Sequence, residues 1–289
     1  MSTKTISAAI LAIVLAIIAV FQNLGLMSDS VNPYVDGEVY LHVIDVGQGS
    51  STLIQQGNEG ILIDAGEADY GAYVSDYINS CGIDSLKYVV ASHPHSDHIG
   101  GLPKVLKSIE TKEILMPEID EKNLPTTKVY ERLLDTIIGE EITASYCEVG
   151  DVYTLGDIKM QILGPVEQIS DLNNMSAICR ISVGNTDVLV PGDAEKKELG
   201  SCLAKGGNFE SEILLVAHHG SKTALHTSFL TKVDPEEAVI SCGKENSYGH
   251  PHDEIIDYLT ENKIEYWRTD YSGDIVYKLE GNTFERIDD

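Results

Sequence analysis

The sequence predicts an α/β (α+β) domain in which two mixed sheets pack face to face with helices on the outside. Three observations predict it. Short apolar segments of strand length come in turn-linked groups, and segments with helical spacing separate them. The grouping occurs twice, a meander with helices and then a second such half, with no repeat of fixed short period. Seven of the nine histidines fall in three tight clusters (93, 95 and 98; 218 and 219; 250 and 252), each following a predicted strand.

Taken in order, Val39 to Val46 alternates apolar and polar residues, as a half-buried strand does. Strands at Ser51–Gln55 and Ile61–Asp64 follow around a turn at Gly57-Asn58, and Asp64-Ala65-Gly66-Glu67 closes this antiparallel meander. A helix over Tyr70–Asn79 ends near Gly82. The strand Leu86–Ala91, the helix Leu102–Ile109, the strand Glu113–Met116 and the helix Thr127–Ile138 come next. Strands then crowd together at Asp151–Leu155, Ile158–Leu163, Ala177–Val183 and Thr186–Pro191, the last two joined by a Gly184-Asn185 hairpin turn. Beyond Asp193 the order is helix, strand, helix, strand (Ala194–Lys205, Glu212–Ala217, Ser228–Val233, Glu237–Ser241). A helix over Asp253–Asn262 and final strands at Glu265–Arg268 and Asp274–Leu279 complete the chain.

The chain has 289 residues, 43% of them hydrophobic, enough for one large packed domain or two small ones. Its net charge of −26, from 20 Lys+Arg against 46 Asp+Glu, argues against tight binding to a nucleic-acid backbone through a basic surface. It leaves open a nuclease whose metals supply the local positive charge. The acidity itself reads as a solvated, soluble surface. The five cysteines are odd in number and form no C-x-x-C pair, so no disulfide framework is expected, although one bridge stays open. Cys179 and Cys242 lie in apolar runs as small core residues.

Ile6 to Phe21 is almost purely apolar and follows Lys4. It is long for a signal-peptide core and short of the ~20 residues a membrane span needs, unless it continues through Met27. No small-x-small cleavage site and no lipidation cysteine follows, which favours an uncleaved anchor. With Lys4 on the cytoplasmic side, the domain lies outside the membrane. The expected organisation is a signal anchor or signal peptide over residues 1–27, a polar linker over 28–37 and one folded domain over 38–289. The protein is then membrane-anchored facing outside the cytoplasm, or secreted.

The chemistry concentrates between Val89 and Leu102. A short buried strand empties into His93-Pro94-His95-Ser96-Asp97-His98, and Gly100-Gly101 leads into a helix. Imidazole and carboxylate together suit a borderline divalent ion such as zinc, manganese or iron. His93 and His95, two apart in an extended loop, can share one ion, and Asp97 and His98 can take a second. The two glycines let the backbone pass close to the metals. A polar loop with coincidental histidines is the bland alternative, and the clustering of the histidines argues against it.

The H-x-H-x-D-H-x-G-G pattern after a strand resembles the signature of the metallo-β-lactamase fold. Asp45-Val46-Gly47-Gln48-Gly49, Pro191-Gly192-Asp193-Ala194-Glu195, His218-His219-Gly220-Ser221 and Asn246-Ser247-Tyr248-Gly249-His250-Pro251-His252 narrow the resemblance to the hydrolase domain of ComEC-type competence proteins. It spans roughly Val39 to Leu279. It implies a four-layer αββα sandwich with metals at one edge between the sheets. It implies two divalent ions, zinc or also manganese, held by His93, His95, Asp97, His98, Asp193 and His218, with Asp193 bridging. An N-cap for the following helix is the structural alternative for Asp193. Asp64 would brace the metal loop. Adjacent strand residues point oppositely, so of His218 and His219 only one is expected to bind directly, His218 by its strand-end place; His219 would orient it or meet substrate. His250 and His252 line the site, His250 as a proton donor or further ligand. Asp97, His250 and His219 are thus the catalytic candidates, and Asn174, Ser221, Tyr248 and His252 the substrate-binding ones. His42 and His226 stand alone as structural or surface residues.

One departure matters. Many superfamily members carry a further histidine between the metal loop and the bridging aspartate; here no histidine lies between His98 and His218. Asp171, Asn173, Asn174 and Ser176 occupy that interval, which points to a first ion that is weakly held or has an open position. The implied mechanism is attack by a metal-activated hydroxide on a phosphorus or carbonyl centre. A phosphodiester, or another small anionic substrate, is favoured because the nearest branch is nuclease-like. A β-lactamase, a phosphorylcholine or cell-wall esterase, and a non-catalytic metal-binding module are the competing readings.

Overall fold

The computed structural model describes Tyr34 and residues 37–287. The expected anchor over residues 1–27 and most of the linker lie outside the described residues. Among the described residues no helix is long and apolar enough to cross a membrane.

The first sheet has eight strands. In chain order they are β1 (Val39–Val43), β2 (Thr52–Gln56), β3 (Glu59–Ile63), β4 (Ser85–Val90), β5 (Glu110–Pro117) and β6 (Thr143–Cys147), with β14 (Ile275–Leu279) and β15 (Phe284–Ile287) closing the other edge in the order β15-β14-β1-β2-β3-β4-β5-β6. The second has seven. They are β7 (Val152–Leu155), β8 (Ile158–Gly164), β9 (Ile178–Val183), β10 (Thr186–Val190), β11 (Ile213–Leu215), β12 (Glu237–Ile240) and β13 (Glu265–Arg268), ordered β13-β12-β11-β10-β9-β8-β7.

The central strands bury both faces, which is why their sequences read as nearly continuous apolar runs. In β3, Ile61 and Ile63 face the other sheet, where they meet the layer built by Ile162, Ile181, Val188 and Ile213, while Leu62 faces outward. The outer face of the first sheet is covered by the helices Gly71–Ser80, Leu102–Ser108 and Lys128–Gly139 through Val74, Ile78, Leu102, Val105 and Leu133. The outer face of the second is covered by Lys196–Lys205, Thr227–Val233 and Asp253–Glu261 through Leu199, Phe229, Val233, Ile255 and Leu259. Each fully buried Leu, Ile or Phe contributes about 1.5–3 kcal/mol. The expected αββα layering is therefore present.

Two strands escape the sequence reading, β6 and β15. Both are edge strands of the first sheet and half exposed (Thr143-Ala144-Ser145-Tyr146-Cys147 and Phe284-Glu285-Arg286-Ile287), so neither shows an apolar run. All five cysteines are free and buried. His226 caps the helix Thr227–Val233, its Nδ1 accepting the Phe229 N–H at 3.2 Å. His42 is fully buried with its Nδ1 3.0 Å from the Tyr77 hydroxyl.

Topology then places the chemistry. β3 to β6 run parallel to one another, and so do β10 to β13. The segments that leave the carboxyl ends of β3, β4, β10, β11 and β12 carry, in order, Asp64, the His93–His98 loop, Asp193, the 218–219 pair and the 241–250 loop.

Candidate metal centre

The loop after β4 is pinned by its neighbours before any ion is considered. Asp64 sits in the left-handed region (φ 62°) and is buried. Its carboxylate accepts the Ser92 N–H at 2.8 Å, the Ser92 hydroxyl at 2.6 Å and His98 Nδ1 at 2.7 Å. The Ala65 N–H donates to the His98 carbonyl at 2.8 Å and the Ser50 N–H to the Asp97 carbonyl at 3.1 Å. The expected bracing by Asp64 matches this geometry. The two glycines serve a different purpose from the one expected. A Cβ on Gly101 would stand 2.1 Å from the Ala65 carbonyl oxygen, and one on Gly100 2.6 Å from the Ala68 nitrogen. They admit the 65–68 backbone rather than a metal.

Asp193 is buried at the centre of two donor groups. Asp97, His98, Asp193 and His219 bring one donor atom each to within 4.8 Å of one another, and His93, His95 and Asp193 do the same. Asp193 Oδ1 lies 3.1 Å from His98 Nε2 and 3.6 Å from His219 Nε2; Oδ2 lies 3.7 Å from His93 Nε2. The structural alternative, Asp193 as an N-cap, is not realised: the helix begins at Lys196 after Glu195, with no side-chain cap bond.

Hydrogen bonding fixes the rings. His98 Nδ1 faces the Asp64 carboxylate and His219 Nδ1 the Ser241 carbonyl at 3.0 Å, both acceptors only, so Nδ1 carries the proton in each. The two Nε2 atoms are then left 3.3 Å apart, beside Asp193 and, for His219, Asp97 Oδ2 at 3.4 Å. Lone pairs and carboxylate oxygens converge on one point. Burial works against protonating His98, yet the Asp193 and Asp64 carboxylates hold it well above the ordinary imidazole range; His219 is raised in the same way by Asp193 and Asp97. Burial would raise Asp193, but His98 and His219 keep it well below the usual carboxylate range. His93 is pushed well below the imidazole range by burial and then by His98. The field that favours protons on two of these rings favours a divalent cation among them equally, and the donor set fits one.

The histidine pair after β11 corrects the expectation. Neither His218 nor His219 is on the strand; both take left-handed backbone angles (φ 52° and 53°) in a tight turn held by the His218 N–H bonding the Gly192 carbonyl. Strand alternation therefore does not apply. His219 completes the group with Asp97, His98 and Asp193, the place expected for His218. His218 stands at the rim with its Nδ1 3.3 Å from Glu195 Oε1.

An open cleft of about 510 Å³ lies over the donors, lined by Gln48, His95, Asp97, Thr127, Asn173, His218, Tyr248 and His250 among others. Tyr248 is 65% exposed and stacks on His250 at 5.6 Å. Gln48 accepts the Gly243 N–H through Oε1 and turns its amide nitrogen toward His250 Nδ1 at 3.4 Å, which leaves Nε2 as the protonated ring nitrogen. Burial and the neighbouring His219 and His218 push His250 down to about 4, so it is neutral near pH 7. Three expected substrate residues are elsewhere. Asn174 is buried and its Oδ1 accepts the Glu195 and Glu198 N–H groups. The buried Ser221 bonds Thr223. His252 precedes the helix Asp253–Glu261, its Nδ1 accepting the Lys222 N–H. None of the three lines the cleft, whereas Asn173 does. Gln48 in the cleft and Glu195 beside His218 are not among the residues expected at the site, although both sit inside motifs that the sequence displays.

A profile of the Metallo-beta-lactamase superfamily matches residues 44–244. The chain belongs to this superfamily. It is 27% identical over 267 residues to ComE operon protein 3 of Bacillus subtilis, covering 85% of this chain and 34% of the relative. It is 31% identical over 249 residues to competence protein ComA of Neisseria gonorrhoeae, covering 84% and 33%. The chain thus spans about a third of the length of the curated relatives it matches. Among solved structures, the diiron β-hydroxylase CmlA from Streptomyces venezuelae superposes with a TM-score of 0.57 at 11% identity, over 86% of this chain and 55% of that one. That likeness shows the fold alone, and the chemistry must be argued from the site.

Proposed function

We propose that this metallo-β-lactamase-fold chain is a two-metal phosphodiesterase of the ComEC-like kind. The observation that carries the reading is the division of Asp193 between two donor groups, one oxygen toward His98 and His219, the other toward His93. Asp97, His98, Asp193 and His219 would hold one ion and His93, His95 and Asp193 the other; this nitrogen-rich set with carboxylates suits zinc, or manganese. When bound, such ions supply Lewis acidity and a nucleophile at neutral pH, and a pair of them suits in-line displacement at phosphorus. The chain's own residues do the rest. Asp64 and the Ser241 carbonyl hold the His98 and His219 rings in their tautomers. His250, neutral and with its Nδ1 facing the Gln48 amide, donates a hydrogen bond from Nε2 to the leaving oxygen. The exposed Tyr248 ring offers a flat apolar face beside it.

Metal analysis of the purified chain together with hydrolysis of a bis-aryl phosphodiester tests the reading. The expected result is up to two divalent ions and turnover of the diester. A metal-loaded chain that turns over a β-lactam or a phosphorylcholine ester and leaves the diester intact overturns it. The apolar run Ile6–Phe21 after Lys4 supports a further part of the proposal: residues 1–27 hold the domain at the membrane, facing out. Protease accessibility on intact cells checks this, and a domain shielded until lysis would refute it.

A further inference from the structure

The two donor groups are unequal. One has two imidazoles and two carboxylates; the other has two imidazoles and a single carboxylate oxygen, Asp193 Oδ2. One more side chain approaches that same oxygen. His218 Nε2 lies 3.6 Å from Asp193 Oδ2, while His219 Nε2 lies 3.6 Å from Oδ1. The consecutive left-handed residues splay the two rings to opposite oxygens of one carboxylate. His218 also has the hydrogen bonding that orients an imidazole toward a metal. Its Nδ1 meets Glu195 Oε1 at 3.3 Å and Thr223 Oγ1 at 3.2 Å, so Nδ1 bears the proton and Nε2 presents its lone pair. The same arrangement recurs at His98 with Asp64 and at His219 with the Ser241 carbonyl.

We propose that His218 is the third imidazole of the His93–His95 group, closing on its ion from the rim of the cleft, and that Glu195 is the residue that aims it. His218 lies outside the 4.8 Å set itself, so metal entry draws the ring inward. The inference rests on the two-metal reading above and adds to it an assignment: both histidines of the pair are ligands, of different ions.

The test uses Zn(II) alone, with the ion count and affinities of the full chain measured by chelator competition and elemental analysis. Wild type, His95→Ala, His218→Ala, the double variant His95→Ala/His218→Ala and Glu195→Gln are compared. Thermal unfolding in EDTA establishes that each apo variant is folded. The expected pattern is two ions in wild type and one tight ion in each single histidine variant, the other ion weakened about 100-fold or more. Because both changes strike the same ion, the double variant keeps one tight ion as well. Glu195→Gln should weaken that same ion about 10-fold and leave the other unchanged. Two ions of wild-type affinity in His218→Ala would overturn the proposal. So would loss of both ions in the double variant, which would put His218 with His98 instead. A wild-type chain that binds no Zn(II) would refute the two-metal reading itself, a result separable from either of these.

Discussion

His98 Nδ1 lies 2.7 Å from Asp64 Oδ2, and this buried contact settles which nitrogen of the ring faces the donor group. An isosteric amide at position 64 has one accepting oxygen where the carboxylate has two. The Ser92 N–H can keep it, and the amide N–H₂ then faces the proton of His98 Nδ1. The ring must flip its tautomer or tilt. Asp64→Asn tolerates the left-handed backbone, so the fold should survive. Affinity for the Asp97–His98–Asp193–His219 ion should fall about 10–100-fold. Chelator competition with Zn(II) measures it, and wild-type affinity would show that Asp64 only ties the loop.

Asp193 is shared by both donor groups, so its loss should not be local. Asp193→Asn keeps the shape and removes the charge that opposes four imidazoles, His93, His98, His218 and His219. Metal content at both positions should drop together. If one ion remains at full occupancy, the carboxylate belongs to the other group alone.

Most of the architecture is legible in the sequence because the central strands are covered on both sides and so carry unbroken apolar runs. The edge strands β6 and β15 are not, since a half-exposed strand such as Thr143–Cys147 has little apolar pattern to read. At the site, the metal loop and Asp193 are legible because their residue types state the chemistry. The choice between His218 and His219 is not. It depends on two consecutive left-handed backbone conformations, which no local pattern of two histidines before a glycine announces. Asn174 shows the complementary limit: the Oδ1 of a polar residue in a promising turn is engaged by two backbone N–H groups of its own chain, a tertiary contact that local sequence does not announce.

His42 gives a pH dependence that belongs to the fold and not to the metals. Burial pushes its pKa from 6.5 down to about 3, only partly opposed by Gln55. Between those values the unfolded chain binds a proton that the folded chain refuses, so stability rises with pH through this window and is lost as pH falls below about 6.5. From pH 7 to pH 5 the expected loss from this residue is about 2 kcal/mol. Urea unfolding of the EDTA-treated protein at pH 7 and pH 5 should show a smaller acid loss in His42→Gln than in wild type. Equal losses in the two proteins would mean that another buried group carries the effect.

The last prediction separates binding from chemistry at His250. Its Nδ1 faces the Gln48 amide at 3.4 Å, and Tyr248 stacks against its ring at 5.6 Å. The residue belongs to neither donor group, so removing the ring should leave the ions in place. Desolvation and the adjacent His219 and His218 disfavour its charged form, so near pH 7 it stands as a neutral donor from Nε2. If that N–H serves the leaving oxygen, His250→Ala should keep wild-type metal content while diester hydrolysis falls about 100-fold or more. The loss should shrink with an activated aryl leaving group, which departs with little help from a hydrogen-bond donor, and grow with an alkyl one. Metal content and rate measured on the same preparation, with both kinds of diester, decide the matter. Equal losses on the two substrates would assign His250 to binding rather than to stabilising the leaving oxygen, and a parallel fall in metal content would make it a ligand. Full activity with full metal content would leave the ring a structural part of the turn.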